Sequence, residues 1–397
     1  MNYSKRITSM QFSPIRKLVP FANAAKKNGV KVYHLNIGQP DIKTPQGFFD
    51  AVKNFNQDVL AYAGSEGMPE LIESMRKYYK TYNMEFDYDD ILITNGGSEA
   101  LLLTMMSICD PGDNILVPEP FYTNYNGFGQ CVNIEMNPVT TYAENGFHLP
   151  SKEDIVKKIN DKTRAILISN PGNPTGLVYT REELQTLADI AKENDLWIVA
   201  DEVYREFVYD GLDYTSCGNL EGIEDRVVII DSVSKRYSAC GARVGSIATK
   251  NKDLTAQIMK LCQGRLCVAT LDQIGAAELY NTPVSYFKEV NEEYKKRRDV
   301  LYGELMKIDG LICEKPTGAF YIVAKLPVDD AEDFVKWMLT DFCKDRDATV
   351  MCTPAESFYA TPGLGRNEVR LAYILNQDDL LQAGKLLKEG LDEYRNR

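Results

Sequence analysis

Ser232-Val-Ser-Lys-Arg-Tyr-Ser-Ala-Cys-Gly-Ala-Arg-Val-Gly245 sets one lysine among hydroxyls and places an arginine eight residues further on, directly after the apolar run Val227-Val-Ile-Ile230. The run is β-branched throughout and reads as a buried strand. The small residues and glycines that follow predict a loop, so Lys235 is expected at a sheet edge. A lysine desolvated there can lose its proton and form a Schiff base with an aldehyde. Arg243, with Ser232 and Ser234, could bind a phosphate dianion through charge-assisted hydrogen bonds. Alone, the segment reads equally well as a surface Lys and Arg around a Ser-rich turn, so the decision rests on what shares its sheet.

Between about residue 46 and residue 285, short β-rich runs alternate with amphipathic helical segments, the pattern of a mostly parallel sheet covered by helices. Expected strands are Ile91–Thr94, Asn114–Val117, Ala165–Ile168, Trp197–Ala200, Val227–Ile230 and Gly245–Ala248. Helix starts are marked by Ser151-Lys-Glu-Asp154 and by the capping box Thr180-Arg-Glu-Glu183. Three polar motifs follow strand C-termini, where open α/β sheets bind ligands. Asn95-Gly-Gly-Ser-Glu-Ala100 opens a helix, offering Gly97, Ser98 and free N–H groups to an anion. Asn170-Pro-Gly-Asn-Pro-Thr-Gly176 is a rigid turn that can fix Asn173. Asp201-Glu-Val-Tyr204 puts Asp201 at the sheet's C-terminal edge with Tyr204 one helical turn on, although Asp201 also reads as a plain helix cap.

From Val284 a long charged helix is expected, with Phe287, Val290, Tyr294, Leu301 and Leu305 on its apolar stripe. It leads into a smaller α+β region with strands at Ala319–Val323, Thr349–Met351 and Val369–Ala372. The divisions expected are 1–45 as an N-terminal arm and part of the small domain, 46–285 as the large domain, and 286–397 as the connecting helix and small domain.

With the motifs N-P-x-N-P-T-G, D-x-x-Y and S-x-S-K-x-x-x-x-x-G-x-R-x-G in this order, the chain resembles the fold-type I pyridoxal-phosphate enzymes and, within them, the class I aminotransferases. The resemblance runs from Gly38 to Arg370. It implies an α/β fold: a large domain with a mostly parallel seven-stranded sheet flanked by helices, plus a smaller α+β domain. It also implies pyridoxal 5'-phosphate as cofactor, with Lys235 as the Schiff-base lysine and Asp201 on the pyridinium nitrogen. Asn173 and Tyr204 would hydrogen-bond the ring oxygen. Tyr122 would stack on the ring, with Phe121 the competing choice. Gly97, Ser98, Ser232, Ser234 and Arg243 would line the phosphate site, joined by Tyr62 from a second copy of the chain in a homodimer with shared active sites. Arg370 matches the arginine for the substrate α-carboxylate, and Gly38 a backbone position beside it. Arg265, before Gly275-Ala276, resembles in spacing a second arginine donated across the dimer to a distal carboxylate. It reads equally as a residue paired with an acidic neighbour at the subunit interface.

Composition narrows the partners to small molecules. Lys and Arg number 45 against 57 Asp and Glu, a formal charge of -12 that argues against a nucleic-acid surface. Nine single cysteines, without a C-x-x-C pair, fit a reducing cytoplasm better than a disulfide framework. Two histidines, far from any H-E-x-x-H pattern, predict no histidine metal site. No stretch has the roughly 20 apolar residues of a membrane span. The expected activity is amino-group transfer from aspartate to 2-oxoglutarate. A transaminase for alanine or aromatic amino acids and a cysteine-conjugate carbon–sulfur β-lyase are the alternatives. A cofactor-binding transcriptional regulator is the remote one, because fewer than 40 residues precede Gly38.

Overall fold

The computed structural model describes residues Met1–Arg397. Twelve strands form three sheets. They are β1 (Lys31–His34), β2 (Ile91–Thr94), β3 (Asn114–Glu119), β4 (Glu135–Thr140), β5 (Thr163–Ser169), β6 (Trp197–Asp201), β7 (Val227–Ser232), β8 (Gly245–Ala248), β9 (Tyr321–Lys325), β10 (Ala348–Met351), β11 (Thr353–Pro354) and β12 (Glu368–Ala372). The largest sheet has seven strands in the order β2-β8-β7-β6-β5-β3-β4, and only β8 runs against the others.

Its central strands are covered on both faces, as their unbroken apolar runs require. Alternation sorts the side chains: Leu116, Ile198, Ala200 and Ile229 join one core, and Ile115, Val117, Val199, Val228 and Ile230 the other. The helix Arg181–Glu193 buries Leu184, Leu187 and Ile190 in the first core behind the Thr180–Glu183 capping box, which forms with both of its hydrogen bonds. Ser151 likewise caps Lys152–Val156 by accepting from the Asp154 N–H.

Three short elements depart from expectation. β4 carries Pro138, which broke its strand pattern; it survives because β4 is the edge strand, where a missing donor costs the ladder least. β9 begins at Tyr321 rather than Ala319, because Ala319 takes a left-handed φ of 51° and its N–H turns to the Phe207 carbonyl. β1 was not read as a strand at all, yet it pairs in parallel with β10 and so brings the N-terminal region onto the C-terminal one.

The 22-residue helix Val284–Leu305 forms as its stripe predicts, burying Val290, Tyr294, Leu301 and Leu305 and packing against Gln377–Arg395. Its apolar face shares one core with β9, β10 and β12. No helix is long and apolar enough to cross a membrane.

Candidate active site

Sheet register brings the motifs together. Gly245, the first residue of the antiparallel β8, pairs with Thr94 at the end of β2 and with Ser232 at the end of β7. The start of helix Gly96–Ile108, the lysine segment and Arg243 therefore meet at one rim. One strand further along, Asp201 pairs with Ile230 on one side and Ser169 on the other, adding the Asp201 and Asn173 motifs to the same rim.

The result is a cleft of about 470 Å³. Gly38, Gly97, Ser98, Tyr122, Asn173, Asp201, Tyr204, Ser232, Ser234, Lys235, Arg243 and Arg370 all line it. Tyr122 faces the cleft, whereas Phe121 is buried and stacks on Tyr125 at 6.2 Å. Tyr62 and Arg265 do not line it. Tyr62 is 79% exposed, and Arg265 lies behind β2, donating to the Ile93 carbonyl at 2.8 Å with Glu99 at 3.5 Å.

Two local details correct the sequence reading. Lys235 sits in a one-turn helix, Val233–Arg236, rather than a loop, because Ser232 caps it by accepting from the Ser234 N–H at 3.1 Å. Tyr204 lies in a turn rather than one turn along a helix, held by a Phe207 N–H bond to the Tyr204 carbonyl.

Lys235 Nζ donates to the Gly38 carbonyl at 2.9 Å. Its neighbour Arg236 is buried and paired with Asp231, which also accepts from Arg205 Nη1 at 2.9 Å; Arg205 in turn holds Glu202. Burial pushes the Asp231 carboxyl up, but Arg236 and Arg205 outweigh it and hold the group below its usual range. This ion cluster fixes the lysine's turn from beneath.

Asp201 is different. Its Oδ2 accepts from the Tyr125 hydroxyl at 2.7 Å, while Oδ1 is buried without a partner. Burial raises its carboxyl to about 6, against the lowering effect of the Tyr125 bond. A buried acceptor left open in this way fits a ligand N–H that carries positive charge. Arg370, also buried, donates to Asn173 Oδ1 at 3.1 Å and to the Asn36 carbonyl at 2.7 Å, and its Nε has no partner. The Tyr204 and Tyr321 hydroxyls meet at 2.8 Å. Ser232 Oγ bonds Ser234 Oγ at 2.7 Å. Arg243 reaches the carbonyls of Cys240 and Asn95 and remains exposed beside the N-terminus of Gly96–Ile108, where the first-turn N–H groups have no helical acceptor. That end suits a phosphate.

Sequence reasoning did not single out Tyr125 and Asn36, which support the cleft from behind, or Tyr321, Ser13, Ile15 and Arg16, which line it. Each comes from a segment without a motif of its own. Tyr125, four residues beyond Phe121 on the next helix, was the most accessible to reasoning.

Residues 30–383 match the model of the aminotransferase class I and II family, and the chain belongs to that family. It is 30% identical to the aspartate aminotransferase of Bacillus subtilis, with 99% of this chain and all of that one covered. It is 29% identical over the full length of both chains to aromatic-amino-acid aminotransferase 2 of Thermococcus litoralis. The solved alanine aminotransferase from Pyrococcus furiosus superposes with a TM-score of 0.90 at 31% identity, over 99% of this chain and all of that one. The protein is an aminotransferase, and enzymes of this class and fold use pyridoxal 5'-phosphate. The open Asp201 oxygen and the anion site at Arg243 fit that cofactor's ring nitrogen and phosphate.

Proposed function

We propose that the chain transfers the amino group of aspartate to 2-oxoglutarate, releasing one product before the second substrate enters. One observation carries the choice of acidic substrates. Arg16, Lys235, Arg243 and Arg370 face the cleft against the single carboxylate of Asp201. Arg243 is used by the cofactor phosphate, Arg370 by the α-carboxylate and Lys235 by the amine chemistry, which leaves Arg16 as the one cleft cation for a second carboxylate.

When bound, the cofactor supplies an aldehyde carbon that condenses with amines and a ring that accepts electrons. The chain's own groups do the rest. Gly97, Ser98, Ser232, Ser234 and Arg243 hold the phosphate. Asp201 keeps the ring nitrogen protonated, and Tyr125 orients Asp201. Asn173 and Tyr204 would donate hydrogen bonds to the ring oxygen, and Tyr122 would cover the ring. Arg370 clamps the substrate α-carboxylate beside Gly38, which presents the Cα–H to Lys235. The Lys235 amine removes that proton and returns it, as a general base and then a general acid. Tyr62 acts from a second copy, in a homodimer with shared sites, while Arg265 sits beside Glu99 as a residue of the subunit interface. The nine free cysteines suit a reducing cytoplasm.

Transamination of alanine or aromatic amino acids is the competing reading, favoured by the engagement of Arg265 with Glu99. A panel of amino donors against 2-oxoglutarate separates the two. Aspartate and glutamate should give the highest kcat/KM. A preference for alanine or phenylalanine would overturn the aspartate reading, and release of pyruvate from a cysteine conjugate without any 2-oxo acid would point to the β-lyase.

A further inference from the structure

The cleft's four cations are not equivalent. Lys235, Arg243 and Arg370 each donate to groups of the chain: Lys235 to Gly38, Arg243 to Cys240 and Asn95, Arg370 to Asn173 and Asn36. The Arg16 guanidinium alone forms no hydrogen bond or ion pair, although it lines the same cleft. It is nonetheless well positioned. Pro14 opens the short turn Pro14–Arg16, and the turn's Ile15 carbonyl accepts from Asn36 Nδ2 at 3.3 Å. Next in the chain, Lys17 pairs with Glu332 at 2.6 Å and Leu18 is buried.

Asn36 joins the two ends of the site. Its backbone carbonyl takes Arg370 Nη2 at 2.7 Å while its side-chain amide holds the turn that carries Arg16. His34 Nδ1 lies 3.1 Å from Asn36 Oδ1, which fixes the amide so that its NH₂ faces Ile15. One residue thus sets the position of Arg370 and of the turn bearing the cation that lacks a partner.

We infer that Arg16 binds the distal carboxylate of a dicarboxylic substrate from within the same chain, with Arg370 on the α-carboxylate. The inference rests on the transaminase reading above and specifies how that site selects acidic substrates. It differs from donation across a dimer, because Arg265 lies outside the cleft of its own chain, with Nη2 on the Ile93 and Ser65 carbonyls and Glu99 at 3.5 Å. An exposed arginine without a partner also explains how one cleft admits both acidic and uncharged side chains: it pairs with a carboxylate and stays in solvent for an apolar group.

The test compares wild type, Arg16→Leu, Arg16→Lys and Arg265→Leu as holoenzymes. Two quantities are read: the aspartate-to-alanine ratio of kcat/KM, and the ratio of affinities for succinate and propionate, which lack an amino group, by calorimetric titration. Arg16→Leu should lower the first ratio about 30-fold or more and the second about tenfold, with Arg16→Lys falling between it and wild type. If wild type prefers aspartate but Arg16→Leu keeps both ratios, Arg16 is not the distal site and the acidic-substrate reading survives. A collapse of both ratios in Arg265→Leu alone would return the role to the partner's arginine. If wild type shows no preference for acidic donors, the substrate reading fails and takes this assignment with it.

Discussion

Asp201 shows how a single position proposed for catalysis works against the fold that holds it. Its carboxylate is buried at the end of β6 with one oxygen on Tyr125 and the other open, and burial raises it from its ordinary 3.8 to about 6. Between those values the native, cofactor-free protein holds more protons than the unfolded chain. Stability from this group is therefore present below about pH 4 and lost as pH rises through about 6. Cofactor-free Asp201→Asn should accordingly be more stable than wild type at pH 7, by on the order of 3 kcal/mol, with the advantage shrinking toward pH 4. Urea unfolding at the two pH values measures it. The same substitution should lower kcat about 100-fold or more, because an amide cannot hold a proton on the ring nitrogen. A near-normal rate would remove Asp201 from the chemistry. At this scale the sequence showed the residues that stand inside motifs, such as Lys235, Asp201, Asn173 and Arg243. It hid those that line or support the cleft from elsewhere, such as Tyr321, Tyr125 and Asn36, because their positions depend only on where the chain returns.

Among the elements, β8 is the one that assembles the site. It enters antiparallel between β2 and β7, and a side chain added at Gly245 would run into the backbone of Gly96, Gly97 and Asp231. Gly96 itself takes a φ of 74° to start its helix there. Helix N-terminus and lysine strand can approach only because position 245 has no Cβ. Gly245→Val should therefore destabilise the protein by about 3 kcal/mol or more and weaken cofactor affinity along with it. Denaturant midpoints and a cofactor titration would show this, and a variant with both unchanged would mean the junction is looser than its geometry. Six strands of the large sheet were legible from their apolar runs. β4 was not, because Pro138 mimics a break and only the edge position excuses it. The turns at Lys235 and Tyr204 were misread because four-residue elements carry too little periodicity to distinguish loop, turn and helix.

Over the whole molecule, the exposed apolar residues Phe49, Val59, Leu60, Tyr62 and Leu266 are what a lone chain would leave to water. Pairing of two copies, as proposed from Tyr62 and Arg265, would cover them. Sedimentation should return twice the 44.8 kDa chain mass, and a monomer with full activity would exclude shared sites. The fold class was readable because strand and helix periods alternate over a long stretch. Substrate choice was not: Arg16 and Arg265, the arginines on which the proposals turn, have sequence neighbours that say nothing about what they face. The most direct test of the account is borohydride reduction of the holoenzyme followed by peptide mapping. A single phosphopyridoxyl group should be fixed on Lys235 and nowhere else. Label on any other lysine, or none on the peptide that contains Lys235, would contradict the chemistry assigned to the cleft.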